Sequence, residues 1–238
     1  MRKETLLNFG WKFHKGDVKV TTPVEKAPIY LSCKTERKLA GPAAYDYIHG
    51  NSNLWESGRV LSESWVDVNL PHDYIVDQDI SNDGTSQAFG YLKYDNAWYR
   101  KGFTLPIEYA DKRITLRFDG VAGKSTVYLN GCLIGHNFSS YNTFEFDITD
   151  RVFFDKENRL AVYVNTEEYE GWWYQGGGIY RNVYLTVTEP VAVDLWGVYA
   201  PYEKINDTDF RIDFETTVVN SDYEDKIITG ESFVIDKD

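Results

Sequence analysis

Short runs of alternating apolar and polar residues, set apart by turn residues, occupy most of this chain. Ile114, Leu116 and Phe118 alternate with Arg113, Thr115 and Arg117. That period of two places one set of side chains toward a core and the other toward solvent. The pattern recurs at Phe144, Phe146 and Ile148, at Leu160, Val162 and Val164, and at Val183, Leu185 and Val187. Phe9, Trp11 and Phe13 also alternate, which predicts an edge strand with its aromatic face on the core. Residues 64–70 alternate into Pro71-His72-Asp73-Tyr74. Pro71 lacks an N–H and ends the ladder, and Asp73 can accept hydrogen bonds from nearby backbone to fix the turn. Asn130-Gly131 stands between the apolar flanks 125–129 and 132–135. Both residues tolerate positive φ, so this is a type I′ hairpin signal.

Roughly eight such strands at short intervals imply an all-β, two-sheet sandwich. Residues 21–64, with Pro23, Pro28 and Pro42 and no clear period, read as a long loop with a helical turn or two. The acidic run 77–83 lacks the repeat of a calcium-binding loop and reads as solvated. Beyond Pro190 a new series begins. It predicts a strand at 191–196, a second at 209–220 with Phe210, Ile212 and Phe214 inward, and a third within 227–235.

Composition narrows the function classes. Among 238 residues, 16% are aromatic, which suits β-structure. A formal net charge of −12 argues against nucleic acid or an anionic membrane as partner, because phosphate-binding surfaces need clustered Lys and Arg. Cys33 and Cys132 lack metal-binding or redox spacing and read as free thiols. With no apolar leader at the N-terminus, the expected location is the cytoplasm. No phosphate loop, serine elbow or zinc-binding helix motif appears, so no cofactor, metal ligand or catalytic residue is assigned. His72, in a turn with no nucleophile nearby, reads as structural.

The most unusual stretch is 170–181: Glu170, Gly171, the aromatics Trp172, Trp173 and Tyr174, then Gln175, three glycines, and Ile179-Tyr180-Arg181. The glycines permit a tight loop that delivers bulky rings to the end of a sheet. Those rings either cap the core or form an exposed contact for a sugar or peptide.

Residues 173–181 closely resemble the W-Y-x-G-x-G-I-Y-R segment of the N-terminal sugar-binding domain of glycoside hydrolase family 2. Four further phrases resemble the same family: Asn8 to Phe13 (N-x-x-W-x-F), Val68 to Tyr74 (V-x-L-P-H-D-W, with Tyr74 for Trp), Trp98 to Pro106 (W-Y-R-K-x-F-x-L-P), and Phe118 to Gly135 (F-D-G-V leading to V-Y-L-N-G-x-x-I-G). The resemblance implies a galactose-binding-like jelly roll over residues 1–189 and the incomplete start of an immunoglobulin-like sandwich over 190–238. It implies that the full-length protein is a retaining glycosidase hydrolysing terminal β-glycosidic bonds, a β-galactosidase in the first reading, with β-glucuronidase and β-mannosidase left open because the residues that set specificity lie mainly in the barrel. In this family both catalytic glutamates sit in a following β/α barrel, which needs ~250 residues. The expected partners are therefore a carbohydrate and the barrel missing from this chain, with homo-oligomerisation of the full-length enzyme left open. A free-standing carbohydrate-binding module and a structural packing domain are the competing readings.

By the same resemblance, the substrate-binding candidates are Trp172 as a stacking platform, Glu170 as an acid reaching the same ligand, and Trp173 beside them. The alternatives are an exposed loop carboxylate for Glu170 and core packing for Trp173 and Tyr174. Arg181 is expected to anchor the loop to the sheet.

Overall fold

The computed structural model describes residues 2–16, 65–81, 87–167 and 173–235. Ten strands form two antiparallel sheets. The larger has six strands. From edge to edge these are β3 (Val66–Val68), β2 (Trp11–Lys15), β4 (Ala97–Thr104), β9 (Glu157–Asn165), β6 (Lys124–Leu129) and β7 (Cys132–Asn137). The smaller has four, in the order β1 (Arg2–Leu6), β10 (Val183–Thr188), β5 (Arg113–Phe118) and β8 (Phe144–Asp147). Trp11, Tyr99, Val127, Leu129, Leu160 and Val162 from the larger sheet meet Ile114, Leu116, Phe118 and Val183 from the smaller in a single core. This is the all-β sandwich that the alternation predicts, because each strand buries every second side chain.

Three buried asparagines hold the corners. Asn8 Nδ2 donates to Asn182 Oδ1 at 2.8 Å, its Oδ1 accepts from Val183 N at 3.1 Å, and its carbonyl accepts from Leu70 N at 2.8 Å. One residue thus joins the start of β10 to the turn before Pro71. Asn130 and Gly131 have φ of 53° and 78°, as the hairpin turn requires. Asn130 Nδ2 donates to Asn158 Oδ1 at 2.9 Å and to Arg151 O at 2.8 Å, while its Oδ1 accepts from Arg159 N at 2.9 Å. Asn158 is fully buried; its Oδ1 also accepts from Phe153 N at 2.7 Å, and its Nδ2 donates to Phe153 O at 2.8 Å.

Several expectations need correcting. Phe9 does not share the inward face of Trp11 and Phe13. It is 66% exposed, because Gly10 (φ 73°) turns the chain before β2 begins. β2 is not an edge strand, since β3 pairs outside it. Thr115 is buried rather than outward in water. Its strand neighbours Arg113 and Arg117 are tied to Asp147 and to Glu4 and Asp119, and their long stems shield the small side chain between them. Tyr141 to Thr143 precede the strand that begins at Phe144.

The predicted strand at 209–220 is two strands, β13 (Phe210–Ile212) and β14 (Glu215–Asn220). They pair with different partners: β13 with β12 (Tyr202–Lys204) and β14 with β11 (Val191–Tyr199). Phe210, Ile212 and Phe214 are exposed instead of inward, because these two-stranded ribbons have no second layer over them among the described residues. No strand forms at 227–235. The loop expectation for 21–64 lies outside the described residues, as do Cys33 and the end of the acidic run 77–83.

Replacing Asn158 with Ala leaves the Phe153 backbone and the Asn130 amide with fewer partners in a dry site. The expected loss is roughly 3 kcal/mol, read as a lower urea midpoint with an unchanged denaturant slope.

Candidate functional site: the aromatic–glycine loop

The segment 176–179 runs as a strip between two parts of the sandwich rim. On one side Tyr74 N donates to Gly177 O at 3.0 Å and His72 N to Ile179 O at 2.9 Å. On the other, Gly178 and Ala122 exchange both backbone hydrogen bonds, at 2.8 and 3.1 Å. Gly176 and Gly178 have φ of 72° and 115°. A Cβ at Gly176 would meet Asp73 Oδ2 at 2.5 Å, one at Gly177 would meet Ile75 Cγ1 at 2.5 Å, and one at Gly178 would meet His72 O at 2.7 Å and the Tyr99 hydroxyl. Three successive glycines are required because three successive side chains have no room.

The turn at 72–75 supplies the other half of the clamp. Asp73 Oδ1 accepts from Ile75 N and Gly177 N, both at 3.0 Å, and Oδ2 accepts from the Tyr174 hydroxyl at 2.7 Å. The role expected for Asp73, fixing its own turn, is present and extends to a loop 104 residues later. Its carboxylate is committed to three donors, so it acts as an anchor. His72 Nδ1 is hydrogen-bonded to the Tyr99 hydroxyl at 2.7 Å, and its ring lies edge-on to Phe13 at 4.7 Å. Burial pulls the His72 pKa below its ordinary 6.5, against the opposing charges of Asp77 and Asp73. The Tyr74 hydroxyl donates to Asp95 O at 2.6 Å, and burial pushes its phenol upward.

Above this clamp stands a rim of aromatic rings. Trp173 is 52% exposed and Tyr174 43% exposed, so neither packs into the core. Asp73 holds Tyr174 at the surface by its hydroxyl. Trp173 Nε1 donates to the Tyr141 hydroxyl at 2.8 Å, and Tyr141 is itself exposed. The Tyr94 hydroxyl accepts from Gln175 N at 3.4 Å, and the Tyr180 hydroxyl donates to Ser140 O at 2.8 Å. Arg181 anchors the end of the loop as expected. Its Nη1 donates to Asp119 O at 3.4 Å, and its guanidinium lies 5.0 Å from the Tyr180 ring centre. Glu170 and Trp172 lie outside the described residues.

Sequence reasoning missed Tyr94 and Tyr141. Neither belongs to a phrase with the loop, and only the strand order brings them beside it. Rings, phenol hydroxyls and one carboxylate committed to three donors line this rim. Among the described residues, no group of three or more His, Cys, Asp or Glu is placed to hold a metal ion. Cys132 is a half-buried free thiol.

Gly178→Ala should destabilise the sandwich by ~3 kcal/mol, since it combines a positive φ with a backbone clash; thermal or urea unfolding reads this directly. His72 should give a pH signature. The unfolded chain takes up a proton near 6.5 and the folded chain only at lower pH, so unfolding binds protons in that window. Stability should therefore fall as the pH drops through 6.5 toward the folded value. In urea titrations at pH 7.5 and 5.5, the wild type should lose more stability on acidification than His72→Gln.

Comparison with known proteins bears on this geometry. The profile of the sugar binding domain of glycosyl hydrolases family 2 matches residues 37–190. A β-galactosidase of Bacteroides ovatus is 37% identical over 158 residues, which is 66% of this chain and 19% of that protein. A β-glucuronidase of Formosa agariphila is 30% identical over 221 residues, 82% of this chain and 22% of its own length. The crystal structure of a β-glycosidase from Bacteroides vulgatus superposes with a TM-score of 0.73 at 25% identity, covering 93% of this chain and 25% of that one. The chain thus spans about a fifth of the length of these two sequence relatives. It belongs to glycosyl hydrolase family 2, and the matched part is that family's sugar-binding domain.

Proposed function

We propose that this chain is the sugar-recognition region of a family 2 glycosidase that hydrolyses terminal β-galactosides. The family match over residues 37–190 carries the reading. The galactoside preference draws support from the 37% identity to the Bacteroides ovatus β-galactosidase. The longer alignment with the Formosa agariphila β-glucuronidase favours a second reading, in which the substrate is a β-glucuronide. In either case the two carboxylates of the retaining mechanism belong to a barrel elsewhere in the full-length polypeptide. Residues 190–238 begin a second, immunoglobulin-like sandwich, and further strands cover the exposed Phe210 and Phe214. At the loop, Trp173 contacts the sugar together with its neighbours Trp172 and Glu170.

The full-length polypeptide should hydrolyse p-nitrophenyl β-D-galactopyranoside with retention of anomeric configuration, followed by proton NMR. Residues 1–238 alone should release no p-nitrophenol. Turnover by the short chain that a single Asp or Glu substitution within it abolishes would show that the carboxylates are here.

A further inference from the structure

We infer that Asn130 is a site of self-modification held in check by the fold. In the unfolded chain Gly131 N displaces the side-chain amide of Asn130, and the acidic product cannot rebuild the corner between β6 and β7. Time spent unfolded is thereby recorded as a loss of chains able to fold.

The reacting pair is local. Asn130-Gly131 is the single Asn-Gly step among the 238 residues. Glycine has no Cβ to shield its amide nitrogen or to restrict the backbone angles that the attack needs. Gly131 N gives up its proton and bonds to Asn130 Cγ. The Cγ–Nδ2 bond breaks, and Nδ2 leaves as ammonia with that proton. The five-membered imide then takes up one water, whose hydroxyl goes to a carbonyl carbon and whose proton returns to Gly131 N. Opening at the side-chain carbon leaves aspartate. Opening at the main-chain carbon leaves an isoaspartyl link, which lengthens the backbone by one carbon. Water is the only co-reactant.

The folded structure opposes both steps. Asn130 is only 5% exposed. Its Nδ2, the leaving group, is tied to Asn158 Oδ1 at 2.9 Å and to Arg151 O at 2.8 Å, and its Oδ1 to Arg159 N at 2.9 Å. Departure of ammonia would break two of these bonds in a buried place, away from the water that the second step consumes.

The same contacts make the product incompatible with the corner. A carboxylate has no N–H to donate, so it would meet Asn158 Oδ1 and Arg151 O acceptor to acceptor. Asn158 cannot turn over to help. Its Oδ1 already accepts from Phe153 N and its Nδ2 donates to Phe153 O. The isoaspartyl form adds a main-chain carbon inside a two-residue turn, where Leu129 stands opposite Cys132. That insertion upsets the register of the whole hairpin.

The test holds the 238-residue chain in guanidinium chloride at pH 8.5, with a thiol reductant for Cys33 and Cys132, and a folded sample at the same pH. Tryptic peptide 125–151 is read by fragment mass spectrometry, which tells Asn130 from Asn137 and Asn142. Conversion of amide to acid at Asn130 should be at least about a hundredfold slower in the folded sample, because it waits on opening of the core. Gly131→Ala, followed only in denaturant so that its own folding does not matter, should convert several-fold more slowly. On dilution, the fraction that regains its near-ultraviolet dichroism should fall in step with conversion, and the acidic peptide should be confined to the chains that fail. Asn130→Asp should lower the urea midpoint or leave the chain unfolded. No conversion in denaturant, equal conversion in both samples, or converted chains and an Asn130→Asp variant with the wild-type urea midpoint would each overturn the inference.

Discussion

A slot with no room for side chains governs this structure. Against Asp73, Ile75 and His72 of the 72–75 turn and the Tyr99 hydroxyl, the backbone of Gly176 to Gly178 fits only because it carries no Cβ. The close approach lets Tyr74, His72 and Ala122 reach the loop's peptide groups, and it lets Asp73 gather three donors. The rings of the loop itself take their positions from that clamp. Trp173 and Tyr174 stand outward because the residues just after them are fixed; Tyr180 and Arg181 are placed by the same strip as it leaves toward β10.

The loop divides its work between two faces. Its inner face is backbone and glycine, buried and hydrogen-bonded at short range. Its outer face is aromatic and half exposed, with hydroxyls that keep spare valence. Rigidity is thus supplied from below, where water is excluded, and the aromatic side chains above are held in place by it.

Strands with one buried face were legible because alternation is itself the record of that face. Ile114, Leu116 and Phe118 are fully buried, as are Leu160, Val162 and Val164. The first strand was not legible. Arg2 to Leu6 expose every side chain and join β10 by backbone alone, so they leave no hydrophobic mark. Thr115 misled for the opposite reason: a polar residue is buried by the arms of its neighbours, which a local pattern cannot show. Phe210 and Phe214 alternate as buried residues do, but alternation does not say what lies opposite. At the rim, the glycines and Asp73 could be read from their phrases. The meeting of Trp173 with Tyr141 could not, because it depends on where two unrelated loops emerge.

The pairing of β1 with β10 has a consequence for how the chain is made. Arg2 lies opposite Thr188, so β1 finds its partner only after the strands between them have been synthesised. Until then it is an unpaired edge, the kind of segment that invites association with other nascent chains. Its sequence, Arg-Lys-Glu-Thr-Leu, is charged and poor in apolar side chains, which suits a strand that has to stay soluble while it waits. The polar character that hides β1 from a pattern search is what keeps it available for the last step of closure.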